Sequence, residues 1–203
     1  TGREGINQGE HSPVFFRTDR FALLDSGTFW LSETPEKVSR GWDADYNRIC
    51  SWVKLRDRQS KKEFFYFNTH LDHMGPVARH EGAELICRRI ASLAGDKYPV
   101  FCTGDFNADP KDEPIKVMLQ HLASARDVSQ TPPYDQGSEV SWTGVPVGAM
   151  TVTIPEAQRG RQAIDHVFVN GRVDVLKYGL LRDSDGINYP SDHIPILVRA
   201  TLK

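Results

Sequence analysis

A run of four aromatic residues, Phe64-Phe65-Tyr66-Phe67, leaves this chain few ways to fold. Within Glu63–Thr69 it presents apolar groups to both faces of an extended segment, so it reads as a central strand covered on both sides. The next stretch is equally restrictive. Pro76 to Ala94 has the pattern of a helix: Pro76 suits the first turn, and Gly95 suits the position just past the end. Ala78, Leu85, Ile86, Ile90 and Leu93 share one side, with Arg79, Glu84 and Arg88 on the other. A short apolar strand follows at 98–103. Strand, helix, strand implies a parallel pair joined by a right-handed crossover, hence an α/β fold.

The remaining elements fit around that unit. Ser12–Arg17, Phe21–Ser26 and Arg48–Leu55 read as strands, and so do 138–143, 164–169, 173–180 and 194–201. A second helix is expected over 114–122, with Ile115, Met118, Leu119 and Leu122 as its buried stripe. Gly27–Asp45 and Gly144–Gln162 are long loops. No linker or internal repeat divides the 203 residues, a length that suits one domain. A net charge of -2 gives no bulk attraction to nucleic acid. No apolar run approaches the roughly 20 residues needed to cross a bilayer. Cys50, Cys87 and Cys102 are too scattered for a metal pair or a disulfide framework, and Cys87 on a helix and Cys102 in an apolar strand read as buried thiols.

Chemistry-bearing residues collect where strands end. His70 closes one strand, Asp105 and Asn107 follow the strand at 98–103, Asp165-His166 opens another, and Asp192-His193 precedes the last. Each has a bland reading as a cap or an Asx turn. Strand ends of one sheet converge, however, and such convergence is how α/β folds build clefts. Oxygen donors from Asp and Asn suit a hard cation better than zinc, which prefers clustered His and Cys.

In order, Asn68-Thr69-His70-Leu71, Gly104-Asp105-Phe106-Asn107, Ile164-Asp165-His166-Val167-Phe168-Val169 and Ser191-Asp192-His193-Ile194-Pro195 resemble the motifs of the endonuclease/exonuclease/phosphatase superfamily. The resemblance runs from about Glu10 to the C-terminus. It implies a four-layer α/β sandwich of two mixed sheets flanked by helices, and hydrolysis of phosphate esters with Mg²⁺ or Mn²⁺. By position, Asp105 would orient or deprotonate the attacking water and Asn107 would hold that water and the phosphate. His193, oriented by Asp165, would bind or protonate the phosphate, with His70 as a second phosphate-facing histidine. Asp192 and Asp105 would ligate the metal. Glu10 resembles the glutamate that holds the counterpart of His70, and Arg48 the phosphate-contacting arginine. For these two, a solvated loop acid and a surface ion-pair partner are the plain alternatives.

Members of this superfamily open with a strand carrying an asparagine and a later strand ending in a metal-binding glutamate. Residues 1–9 supply neither, so the resemblance implies a single domain over 1–203 that lacks its N-terminal strands and first metal ligand. Inositol-phosphatase motifs are absent. Gly104–Asn107 followed by Pro110 is closer to sphingomyelinase-like and deadenylase-like members, which implies a phosphodiesterase acting on nucleic acid, a nucleotide or a phospholipid head group. Phe29–Pro35 with Gly41-Trp42-Asp43 resembles a bacterial group often secreted or periplasmic, and Trp30 or Trp42 is a candidate to stack on a base or sugar. For Trp30 and Trp42 alike, packing over the core edge is the alternative. No stable protein partner is implied. The rival class is a binding protein on the same fold that has lost its activity.

Overall fold

The structure, a computed structural model, describes residues 1–134, 141, 163–181 and 191–203. Eight strands and two helices follow in the order β1 (Phe21–Trp30), β2 (Ile49–Asp57), β3 (Glu63–His70), α1 (Pro76–Leu93), β4 (Val100–Asp105), α2 (Glu113–His121), β5 (Ala123–Ser124), β6 (Asp165–Val169), β7 (Val173–Leu180) and β8 (Ile196–Leu202). Six of them form a mixed sheet in the order β1-β2-β3-β4-β6-β5, and β7 and β8 form a second, antiparallel one. The aromatic strand β3 is central, as its two apolar faces require. Its partner across the α1 crossover, β4, is parallel to it.

Period-two alternation sorts the side chains of this sheet into two cores. Phe65, Phe67, Cys50, Val100, Cys102 and Phe168 point toward the helices and meet Ile86 and Cys87 of α1 and Ile115 and Met118 of α2. Phe67 and Phe168 are fully buried, which removes apolar area worth roughly 2–3 kcal/mol each. On the other face, Phe101, Val167 and Val169 meet Val173, Val175 and Leu180 of β7 and Ile196 and Val198 of β8. Among the described residues, helices, large sheet and small sheet thus make three layers, with both helices on the first core. All three cysteines are buried.

Helix α1 begins where Asp43 reaches across to accept from the N–H groups of Val77 (3.3 Å) and Ala78 (2.7 Å). It stops at Gly95, whose φ of 52° is left-handed, as the sequence suggests. Ser12–Arg17 departs from expectation. It forms no strand; it lies over the large sheet, anchored where Asn68 Nδ2 donates to the Pro13 carbonyl (2.9 Å), with Phe15 90 % exposed. An apolar groove of about 760 Å³ runs beneath it, floored by Phe21, Leu55, Phe64 and Phe101. Strand β1 continues to Trp30, so the following loop is shorter than expected. Leu119 is 42 % exposed and does not belong to the buried stripe of α2. The strand expected at 138–143 and the loop at 144–162 lie outside the described residues, except Ser141.

Candidate active site

Three neighbouring strands deliver their polar ends to one line. In the parallel β3–β4 pairing His70 stands opposite Asp105, and in the antiparallel β4–β6 pairing Asp105 stands opposite Asp165. Backbone bonds lock these ends together: Leu71 N–H donates to the Asp105 carbonyl (2.9 Å) and Phe106 N–H to the Ile164 carbonyl (2.8 Å). The close approach of β4 to β3 depends on Gly104. Its φ is 147°, and a Cβ there would sit 2.0 Å from the Thr69 carbonyl oxygen.

The two oxygens of Asp105 have separate surroundings. Oδ1 accepts the Asn107 N–H at 2.8 Å, an Asx turn that supports the left-handed φ of 46° at Asn107. The Asn107 side chain donates to the Leu71 carbonyl (3.0 Å), tying the turn to the end of β3. Asp105 Oδ2 lies 3.3 Å from His70 Nε2 and 3.8 Å from His193 Nε2.

Each imidazole has a carboxylate on its far nitrogen. His193 Nδ1 is 2.8 Å from Asp165 Oδ2, and His70 Nδ1 is 2.5 Å from Glu10 Oε1. Glu10 is held in turn by Arg3, whose Nη1 donates to Oε2 at 2.8 Å. These contacts shift the titrations in opposite directions. The hydrogen bond to Asp165 lifts the pKa of His193 above its ordinary value against the opposing effect of burial, and the charges of Asp165, Asp105 and Asp192 add to the lift. Burial also lifts Asp105 above the usual carboxylate range; the charge of Asp165 reinforces this, while His70, the Asn107 N–H and His193 oppose it. For Glu10 burial alone would raise the pKa, but the charge and hydrogen bond of His70 and the charges of Arg3 and Arg48 outweigh it and carry the value down. A carboxylate reluctant to stay charged next to an imidazole inclined to hold its proton is a pairing suited to proton transfer.

Asp105, Asp165 and His193 offer ligand atoms within 4.8 Å of one another, the only such group of three among the described residues. Its oxygen content and the burial of Asp105 fit a hard divalent cation, which would offset the unfavourable desolvation of that carboxylate. The cluster differs from the expected pair. Asp165 joins Asp105, whereas Asp192 lies outside it, accepting from Ser191 Oγ at 3.5 Å.

Two adjoining recesses of about 480 and 440 Å³ open here, and Glu10, His70, Asp105 and His193 line both. Arg48 and Asn107 line the second. Arg48 is buried rather than a surface partner, with Nε 3.3 Å from Asp72 Oδ2 and Nη2 donating to His73 Nδ1 at 3.2 Å. Trp42 is half-buried, its N–H directed to the Glu33 carboxylate, and it lines neither recess. Trp30 is buried and donates to the Arg3 carbonyl (2.7 Å), a packing role. Tyr66 lines the first recess, and Tyr46, beside His73 and Arg3, lines the second. Tyr46, Asp72 and His73 lie outside the motifs; the one sequence signal for them is a third Asp-His pair, Asp72-His73, directly after Asn68–Leu71.

Residues 13–193 match the family model described as the Endonuclease/Exonuclease/phosphatase family. A Bacteroides vulgatus endonuclease/exonuclease/phosphatase structure superposes with a TM-score of 0.87 at 32% identity, covering 100% of this chain and 74% of its own. A Bacteroides thetaiotaomicron mannosyl-6-phosphatase superposes at 0.84 with 34% identity, covering 99% and 75%. Human Nocturnin is 23% identical over 206 residues, 96% of this chain. The chain spans 44% of that protein's length.

Proposed function

The chain belongs to the Endonuclease/Exonuclease/phosphatase family, and from that premise we propose that it is a divalent-metal-dependent hydrolase of phosphate esters. The observation that carries this reading is the placement of Asp105 Oδ2 between two imidazoles, each backed by its own carboxylate. Asp105 accepts the proton of the attacking water, and Asn107 helps to seat that water and the phosphoryl group. Protonated His193, held by Asp165, donates to a phosphoryl oxygen. His70, held by Glu10, offers a second donor from the other side, and Arg48 adds a fixed positive charge. Asp105 and Asp165, with Asp192 adjoining His193, would hold the cation. When bound, Mg²⁺ or Mn²⁺ neutralises charge developing on the phosphoryl oxygens.

Similarity to a mannosyl-6-phosphatase at 34% identity supports a sugar phosphate monoester as substrate over the diester implied by the motifs. The test is phosphate release from mannose 6-phosphate against p-nitrophenol release from bis(p-nitrophenyl) phosphate, with Mg²⁺ and with chelator. Turnover of the monoester that chelator abolishes, and that Asp105→Asn lowers by about 10³-fold or more, is expected. Turnover indifferent to chelator and to Asp105→Asn would refute the reading. Preference for the diester would restore the phosphodiesterase assignment, and binding without turnover would favour an inactive member of the fold.

A further inference from the structure

Beyond Asp105, Asn107, His70 and His193, the wall of the second recess includes Tyr46, Arg48 and His73. Its starting point is Asp72, 1 % exposed, which accepts from the N–H groups of Tyr46 (3.2 Å), Met74 (3.0 Å) and Gly75 (2.8 Å) and pairs with Arg48. Arg48 is thereby fixed, and it fixes His73 in turn. A guanidinium can only donate, so at 3.2 Å His73 Nδ1 must be the acceptor, and the ring hydrogen resides on Nε2. Tyr46 stacks on the same ring, with centroids 5.8 Å apart and planes at 22°, and sets its tilt. Arg3 lies over the Tyr46 ring at 4.6 Å. The outcome is an N–H donor with a defined direction and no backbone or side-chain acceptor within 3.5 Å among the described residues.

The nearest carboxylate is Asp45 Oδ2, 3.9 Å from His73 Nε2. That gap is too long for a hydrogen bond between them. One hydroxyl oxygen about 2.8 Å from each would bridge it, accepting from Nε2–H while donating to the carboxylate, with the two bonds at roughly 90° to each other. We propose that His73 and Asp45 together read a hydroxyl group on the alcohol half of the substrate, which makes a polyol or sugar phosphate the preferred ester. This inference rests on the phosphoesterase reading given above and assigns the specificity of that same site. Inorganic phosphate and aryl phosphates lack the group the pair reads, and a site arranged to hydrogen-bond a hydroxyl discriminates against analogues without it.

The experiment compares kcat/KM for mannose 6-phosphate with kcat/KM for p-nitrophenyl phosphate, in the full-length protein supplied with Mg²⁺. His73→Phe and Asp45→Ala are each expected to lower the ratio of the two constants roughly tenfold, mainly through KM for the sugar phosphate. His73→Gln, which retains an N–H donor, should recover most of it. Equal losses on both esters would mean that the pair serves only the fold, and an unmoved ratio would mean that it reads nothing; either result overturns the proposal. If the wild-type protein turns over the aryl ester while the ratio stays fixed in the variants, only the hydroxyl assignment falls. If it turns over neither ester, the hydrolase reading falls and takes this one with it.

Discussion

Asp105 shows why a bland reading and a chemical one need not compete. Its Oδ1 closes the Asx turn that the sequence Gly104–Asn107 suggests, and its Oδ2 faces His70 and His193. Both uses were legible from the residue types and their spacing. Arg48 and Asp72 were less so, because burial decides their roles and no motif announces it. For Asp72 burial raises the pKa, yet N–H donors from Gly75, Asp45, Met74 and Tyr46 outweigh it and hold the carboxyl far below the ordinary carboxylate range. Replacing it by Asn leaves Arg48 buried without its counter-charge, which should cost about 3 kcal/mol at pH 7. The sign of the pH dependence follows from the depressed folded-state pKa. Asp72 contributes its stability in full above the unfolded-state value near pH 4, roughly, and loses it as pH falls further toward the folded-state pKa. Urea unfolding should therefore show the gap between wild type and Asp72→Asn narrowing on acidification below about pH 4. A gap that stays constant would mean that Asp72 acts through shape and not through charge.

Among the elements, those with unbroken patterns were the ones the sequence specified well. The aromatic run became a central strand, Pro76 and Gly95 bracketed α1, and the parallel β3–β4 pair followed from the helix between them. Failures have physical causes. Ser12–Arg17 has strand composition, but Pro13 cannot donate to a ladder, and the segment lies across a sheet face instead of joining an edge. Leu119 has helical spacing from Ile115, yet it lies in the last turn of a nine-residue helix and stays 42 % exposed while Ile115 and Met118 are buried. The register of β3 on β4 is what sets His70 opposite Asp105, and Gly104 permits it. Gly104→Ala would place a methyl group against backbone that cannot yield without parting the strands. A loss of about 3 kcal/mol or more is expected in chemical denaturation, with activity falling in parallel. Full stability in that variant would show that the strands have slack at this point.

The molecule as a whole draws its site from distant parts of the chain. Glu10 reaches His70 across 60 positions, and Asp165 reaches His193 across 28, so the cleft exists only when both cores are assembled. The first core also encloses Cys50, Cys87 and Cys102, none more than 5 % exposed. Burial pushes the Cys87 thiol up to about 12 and raises Cys50 and Cys102 as well. Sulfur that is neither reachable nor ionised does not react, so a chromogenic disulfide reagent should label these positions only during excursions to the open chain. Native protein is expected to modify at least about 10³ times more slowly than the chain in denaturant, given ordinary domain stability. Prompt reaction of one sulfur in native buffer would locate a region that breathes independently. The three thiols thus give the protein an internal clock, whose ticks count how often the cleft ceases to exist.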